Sequence, residues 1–207
     1  MLFRSIASMM ESMGIDRKLN PFGTAKGWKK SRLQTANGFN VVAFGLDVAA
    51  RGTKIDNYRP DLIIFDDIDN EHDTPMAIQK KIDRITKSII PAGSSDAAIL
   101  FIQNLIHEDG VVGQLYTGKA DFCQNRKVFM EPAVIGMKYE VGIDHKLGIN
   151  KYMITGGTAS WEGQSLETCQ KQMDEWGLRA FLTEAQHEVL SNAGTFFDVS
   201  KLSVINM

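Results

Sequence analysis

Two adjacent carboxylates, Asp66 and Asp67, follow the apolar run Leu62-Ile63-Ile64-Phe65 and are the pair in this sequence best suited to chemistry. A carboxylate at the end of a rigid strand can hold a hard cation such as Mg²⁺, directly or through its water, while a second orients or deprotonates an attacking water. A hydrophobic run ending in an acidic pair has the form of a Walker B segment. It also has the form of an acidic loop that closes a strand and caps the next helix through Asp73 or Thr74. The alternation Asp67-x-Asp69-x-Glu71 hints at a calcium loop, but no glycine stands at the required turn position, which excludes that reading. A metal-dependent nuclease using Asp66, Asp67 and Asp69 is the weakest option, because the three lie on one strand end instead of converging from several.

A nucleotide enzyme of the P-loop type also needs a phosphate cradle, Gly-x-x-x-x-Gly-Lys-Ser/Thr. The one near-match, Gly113-Gln114-Leu115-Tyr116-Thr117-Gly118-Lys119-Ala120, lacks the hydroxyl that would bind magnesium. It also ends an expected helix and follows the acidic pair instead of preceding it. It reads as a helix C-cap glycine followed by a lysine. The sequence holds no credible phosphate loop.

The elements that must position these residues alternate between strand and helix. Asp61 to Asp66 is a continuous apolar strand of the kind found in the centre of a parallel sheet, covered on both faces. Thr74-Pro75 opens a helix to about Ile90, with Ile78, Ile82, Ile85 and Ile89 at helical spacing. Ala97 to Ile102 is a second buried strand, residues 108–117 a second helix, and Lys127 to Ala133 a further strand. Upstream, residues 2–13 form a short helix stopped by Gly14, residues 14–38 are turn-rich, and Phe39 to Phe44 is a strand. Residues 136–160 read as irregular, and 163–190 as one or two helices with a poor capping box at Ser165-x-x-Thr168. The pattern predicts an α/β fold with a mainly parallel sheet, whose ligands bind beyond the carboxyl ends of the strands. Three segments follow: a helix and basic lead-in over 1–38, a core over 39–135, and a helical closing segment over 136–207.

Composition places the chain among ordinary globular proteins, with 43% hydrophobic and 23% charged residues in 207. The longest apolar run, Ala97 to Ile102, is far short of the roughly 20 residues that span a bilayer, so no membrane association is expected. No secretory leader is read in residues 1–10. Cys123 and Cys169 have no paired spacing, which fits a reducing compartment and argues against a zinc site or disulfide framework. The net charge of −2 hides an asymmetry: residues 1–38 hold seven basic and two acidic groups, and the remainder is correspondingly acidic. Such a lead-in is either a solvated lysine-rich loop or a contact for phosphate backbones.

The order of these features resembles the large subunit of the phage terminase, the motor that packages DNA into viral proheads. Trp28…Leu33…Asn37-Gly38 is similar to the family's approach to its ATPase core. Ala50-Arg51-Gly52-Thr53…Arg59-Pro60-Asp61 through Asp67 resembles its Arg-Gly turn running into Walker B. Ile99-Leu100-Phe101-Ile102-Gln103-Asn104, with His107-Glu108-Asp109 and Gly113-Gln114-Leu115, resembles its ATP-coupling motif and the helix after it. Trp161 and Phe181…Glu184-Ala185-Gln186 look like the segment that closes the ATPase domain. The resemblance covers roughly residues 28–200.

It implies a P-loop NTPase (RecA-like, ASCE) fold, incomplete at the N-terminus, without the phosphate loop upstream and the nuclease domain downstream. ATP and Mg²⁺ would be the cofactors of the complete motor, though this chain alone would bind neither and would be inactive. Asp66 would be the magnesium-associated carboxylate. Asp67 stands where many relatives carry a catalytic glutamate. Asn104 would couple γ-phosphate loss to movement, with Gln103 the alternative at that strand end, and Arg51, or failing it Arg59, would be an arginine finger. The implied partners are double-stranded DNA, a homo-oligomeric ring, the portal and the small terminase subunit, with the missing N-terminal part supplied in trans. The implied location is the cytoplasm of an infected or prophage-carrying host cell. The competing reading is a non-catalytic DNA- or partner-binding α/β module that retains the ancestral fold.

Overall fold

The computed structural model describes residues 2–29, 31–47, 59–144 and 148–188. Its elements run α1 (Leu2–Ser12), β1 (Arg32–Gln34), β2 (Asn40–Val42), β3 (Leu62–Asp66), α2 (Pro75–Arg84), β4 (Ala98–Ile102), α3 (Val111–Thr117), β5 (Val134–Asp144), β6 (Ile149–Ala159), α4 (Leu166–Trp176) and α5 (Leu178–Gln186). The chain divides into two compact units, Met1–Ile63 with Asp83–Ala98 and Ile64–Ile82 with Ile99–Met207.

The chain is α/β, with three two-stranded sheets among the described residues: β1–β2, β3–β4 and β5–β6. The expected single, mainly parallel sheet is therefore corrected to one parallel and two antiparallel pairs. In β3–β4 the Ala98 N–H donates to Asp61 O and the Asp67 N–H to Ile102 O, so both strands advance together. That parallel direction brings the carboxyl ends of β3 and β4 to one edge.

The expected burial of β3 on both faces is also corrected, as is that of β4, where Leu100 and Ile102 are exposed. Ile63 and Phe65 are buried, whereas Leu62 and Ile64 on the other face are each 52% exposed. A strand's side chains alternate between faces, so a continuous apolar run is compatible with cover on one face or two. On the covered side the rings of Phe65 and Phe101 stack at 4.6 Å.

In the first unit, β1 and β2 pair antiparallel, Leu33 opposite Val41. Leu33 is buried, as are Ile85 and Ile89. The helical periodicity read through Ile89 holds, but α2 loosens into a π-helical turn over Ile85–Ile89 and a 3₁₀ turn over Ile90–Ala92. Pro91 lacks the N–H that would continue an α-helix.

In the second unit, β5 and β6, eleven residues each, form an antiparallel hairpin with a register irregularity between Ile135 and Tyr139. It replaces the irregular segment expected over 136–160, and no strand forms over 127–133. Ser165 caps α4 after all: its Oγ accepts the Thr168 N–H at 3.1 Å. Hairpin and helices enclose a core of Val134, Cys169, Met173 and Phe181, with Tyr152, Ile154 and Leu178 packed around it. The buried Gln186 amide locks α5 to β5 by accepting from the Val134 N–H and donating to Val134 O, each at 3.0 Å.

Phe181 is fully buried. Phe181→Ala is therefore expected to cost about 3–5 kcal/mol in urea unfolding, while Met76→Ala, at a mostly exposed position, stays within about 0.5 kcal/mol.

Candidate functional site

Asp66 is the last residue of β3, with its side chain in solvent. The Asp67 N–H adds one more rung by donating to Ile102 O at 3.1 Å, and the chain then turns with Asp67 at φ +53°. That left-handed conformation is costly for most L-residues and tolerable for aspartate. Both carboxylates are exposed.

Asp69 behaves differently. It is buried, and its carboxylate accepts the Val111 N–H at 2.9 Å and the Val112 N–H at 2.8 Å, at the start of α3. Gln103 closes the ring: its Nε2 donates to Asp69 Oδ2 at 3.3 Å, and its Oε1 accepts the Asp69 N–H at 2.8 Å. The first amides of a helix lack intrahelical partners and carry partial positive charge, so a carboxylate there satisfies two donors and the dipole together. Gly110 permits this approach, since a Cβ at that position would lie 2.7 Å from Asp69 Oδ2. Asp69 is thus taken up by the fold, which separates it from Asp66 and Asp67 and removes a leg of the nuclease option. Gln103 is equally occupied.

The loop after Asp69 is held by Lys81, whose Nζ donates to Ile68 O at 2.7 Å and pairs with Asp73. Asp73 also accepts the Asn70 N–H at 2.8 Å, and Thr74 Oγ1 accepts the Ala77 N–H at the start of α2. Capping at the helix start thus uses Thr74, one of the two residues singled out for it.

Asn104, just beyond β4, donates through Nδ2 to Glu184 Oε2 on α5 at 3.0 Å. In the sequence Glu184 stands out only as part of a resemblance, and nothing in its spacing announces a partner 80 residues away. Among the described residues no group of three or more His, Cys, Asp or Glu side chains is arranged to hold a metal ion. One or two carboxylates completed by water and substrate phosphates is, however, how Mg²⁺ is usually held, and Asp66 with Asp67 fits that donor set.

Arg51 lies outside the described residues. In the first unit Arg59 donates from Nη1 to Pro91 O at 3.0 Å, satisfying a helix-end carbonyl. The near-match to a phosphate loop is α3 itself, ended by Gly118 at φ +82°. Lys119 pairs with Asp109 at 3.0 Å, which holds the Asp109 carboxyl below its usual range and raises the lysine. In the basic lead-in Arg17 pairs with Glu11 and lies 5.3 Å from the centre of the Trp28 ring, while Lys30 is outside the described residues. Both cysteines are free, and burial pushes each thiol up, away from the reactive thiolate.

Compared with known proteins, the chain matches no family model, no curated protein and no solved structure.

Asp69→Ala strands two helix amides and Gln103, and should lower the urea-unfolding free energy by about 2–4 kcal/mol. Asp67→Gly, which relieves a left-handed backbone, should be neutral or stabilising by up to about 1 kcal/mol in the same assay.

Proposed function

We propose that this chain is part of the ATPase module of a DNA-packaging terminase large subunit, carrying its Walker B and coupling residues. The observation that carries the reading is the parallel direction of β3 and β4, which puts Asp66-Asp67 and Asn104 at the carboxyl ends of neighbouring strands. Ligands of open α/β sheets bind at that edge. In this reading the fold is that of a P-loop NTPase whose phosphate loop lies outside these 207 residues.

The chemistry asked of each residue is modest. Magnesium, when bound with ATP, neutralises charge on the transferring phosphoryl group. Asp66 is the residue that would hold it. Asp67 orients the attacking water, its shorter side chain placed by the turn at φ +53°. Asn104 reads the γ-phosphate, and its bond to Glu184 passes the loss of that phosphate to α5. An arginine from a neighbouring subunit, Arg51 in this reading, stabilises the transition state, an effect of about 10³–10⁵ in rate. Arg59 is the weaker choice, because its guanidinium already serves the carbonyls of Pro91 and Gly93. Double-stranded DNA, a ring of identical subunits, the portal and the small subunit complete the proposed assembly.

The test is reconstitution. The purified chain alone should not hydrolyse ATP; with a polypeptide carrying Gly-x-x-x-x-Gly-Lys-Ser/Thr from the same genome, Mg²⁺-dependent ATP binding and turnover should appear. Asp66→Ala and Asp67→Gly should each lower that turnover by about 10²-fold or more, while Asp67→Gly stays fully folded. Salt-dependent DNA binding indifferent to Asp66→Ala, with no nucleotide binding after reconstitution, would favour the non-catalytic module instead.

A further inference from the structure

Within the second unit lies an open groove of about 750 Å³ whose character differs from that of the Asp66 edge. Trp161 and Trp176 line it, 63% and 47% exposed, an unusual state for the largest apolar side chains. Trp161 is nonetheless held in place. Its Nε1 donates to Gln164 Oε1 at 3.1 Å, and Gln164 in turn donates to Gln172 Oε1 at 2.8 Å. The indole also occupies the space that a Cβ on Gly163 would need, at 1.8 Å from Cζ3. An aromatic that is exposed yet fixed keeps its face for a ligand at little entropic cost.

The polar lining has one sign. Glu131 and Glu184 both face the groove, no lysine or arginine lines it, and neither carboxylate has an ion-pair partner among the described residues. Two of the lining amides are engaged within the protein, Asn104 by Glu184 and Gln164 by Trp161 and Gln172. His187 is engaged from both ring nitrogens, by the Leu105 N–H and by Glu131 O. The groove thus offers exposed indole surface and two negative charges. An anionic group between Glu131 and Glu184 is disfavoured, and a neutral ring would leave the carboxylates without partners. A planar cation answers both, because it stacks on an indole and donates in parallel to a carboxylate.

We propose that this groove binds an arginine side chain presented by a partner protein. A guanidinium is preferred to an ammonium for its flat face and paired donors, and the volume exceeds what one side chain fills, leaving room for the residues on either side. The proposal draws nothing from Asp66 or Asp67, but it shares Asn104 and Glu184 with the ATPase reading.

The experiment is calorimetric titration of the intact chain with the capped tripeptide acetyl-glycyl-arginyl-glycinamide, its lysine counterpart and adenosine, with tryptophan fluorescence followed in parallel. Saturable binding of the arginine peptide is expected, about ten-fold or more tighter than the lysine peptide and weakened by salt. Glu131→Gln with Glu184→Gln keeps shape and hydrogen bonding but removes the charge, and should abolish it. Gly163→Ala should weaken it by displacing Trp161, and Trp161→Phe should remove most of the fluorescence response. No saturable binding up to about 10 mM, equal binding of the lysine peptide, tighter binding of adenosine, or binding unchanged in the double glutamine variant would each overturn the proposal.

Discussion

The carboxylate of Asp69 governs the geometry around the strand ends of the second unit. It is buried, so its charge must be met inside the protein, and the partners that meet it are the first amides of α3 and the side chain of Gln103. Hydrogen bonds to a charged group are worth about 1.5–3 kcal/mol each, and a buried charge left without them is strongly destabilising. One side chain therefore ties the loop after β3, the end of β4 and the start of α3 to a common point. Asp69 is committed to the fold, whereas Asp66 and Asp67 face solvent.

A second set of bonds acts on the far side of β4. Asn104 bonds to Glu184, the Leu105 N–H donates to His187 Nδ1, and the Ala133 N–H donates to Ala185 O at 2.7 Å. With Gln186 paired to Val134, the C-terminal turn of α5 becomes a junction for β4 and β5. Its neighbours Phe181 and Leu182 are buried in the same unit, so the polar junction rests on an apolar base. A change at Asn104 has a direct route to α5, and α5 contributes the Glu184 wall of the tryptophan groove.

Elements with strong local signals are legible in the chain. The apolar runs of β3 and β4, the Thr74-Pro75 start of α2 and the glycine stop at Gly118 all lie within a residue or two of their expected places. The β5–β6 hairpin is not, although Met137, Tyr139, Val141 and Ile143 alternate with Lys138, Glu140, Gly142 and Asp144. Four glycines interrupt the two strands, and Val141 and Ile143 remain more than half exposed, so the pairing is not announced by a buried stripe. The helix cap at Ser165 is stronger than its sequence suggests, because a hydroxyl can cap alone, without an acidic residue three positions on.

By itself the sequence determined the acidic pair, the strand that carries it, the lack of a phosphate cradle among these residues and the polar Gln103-Asn104 step after the next strand. Those are local properties, written in residue types at short spacing. Tertiary structure alone decided which carboxylate is consumed by the fold, since Asp66, Asp67 and Asp69 are chemically the same group and only their surroundings differ. It likewise decided that Gln103 turns to Asp69 and Asn104 to Glu184, because adjacent residues in extended chain point to opposite sides and meet whatever the fold brings there. The seat of Trp161 on Gly163, and the uncompensated charge beside it, exist only once residues 104 to 187 are packed together.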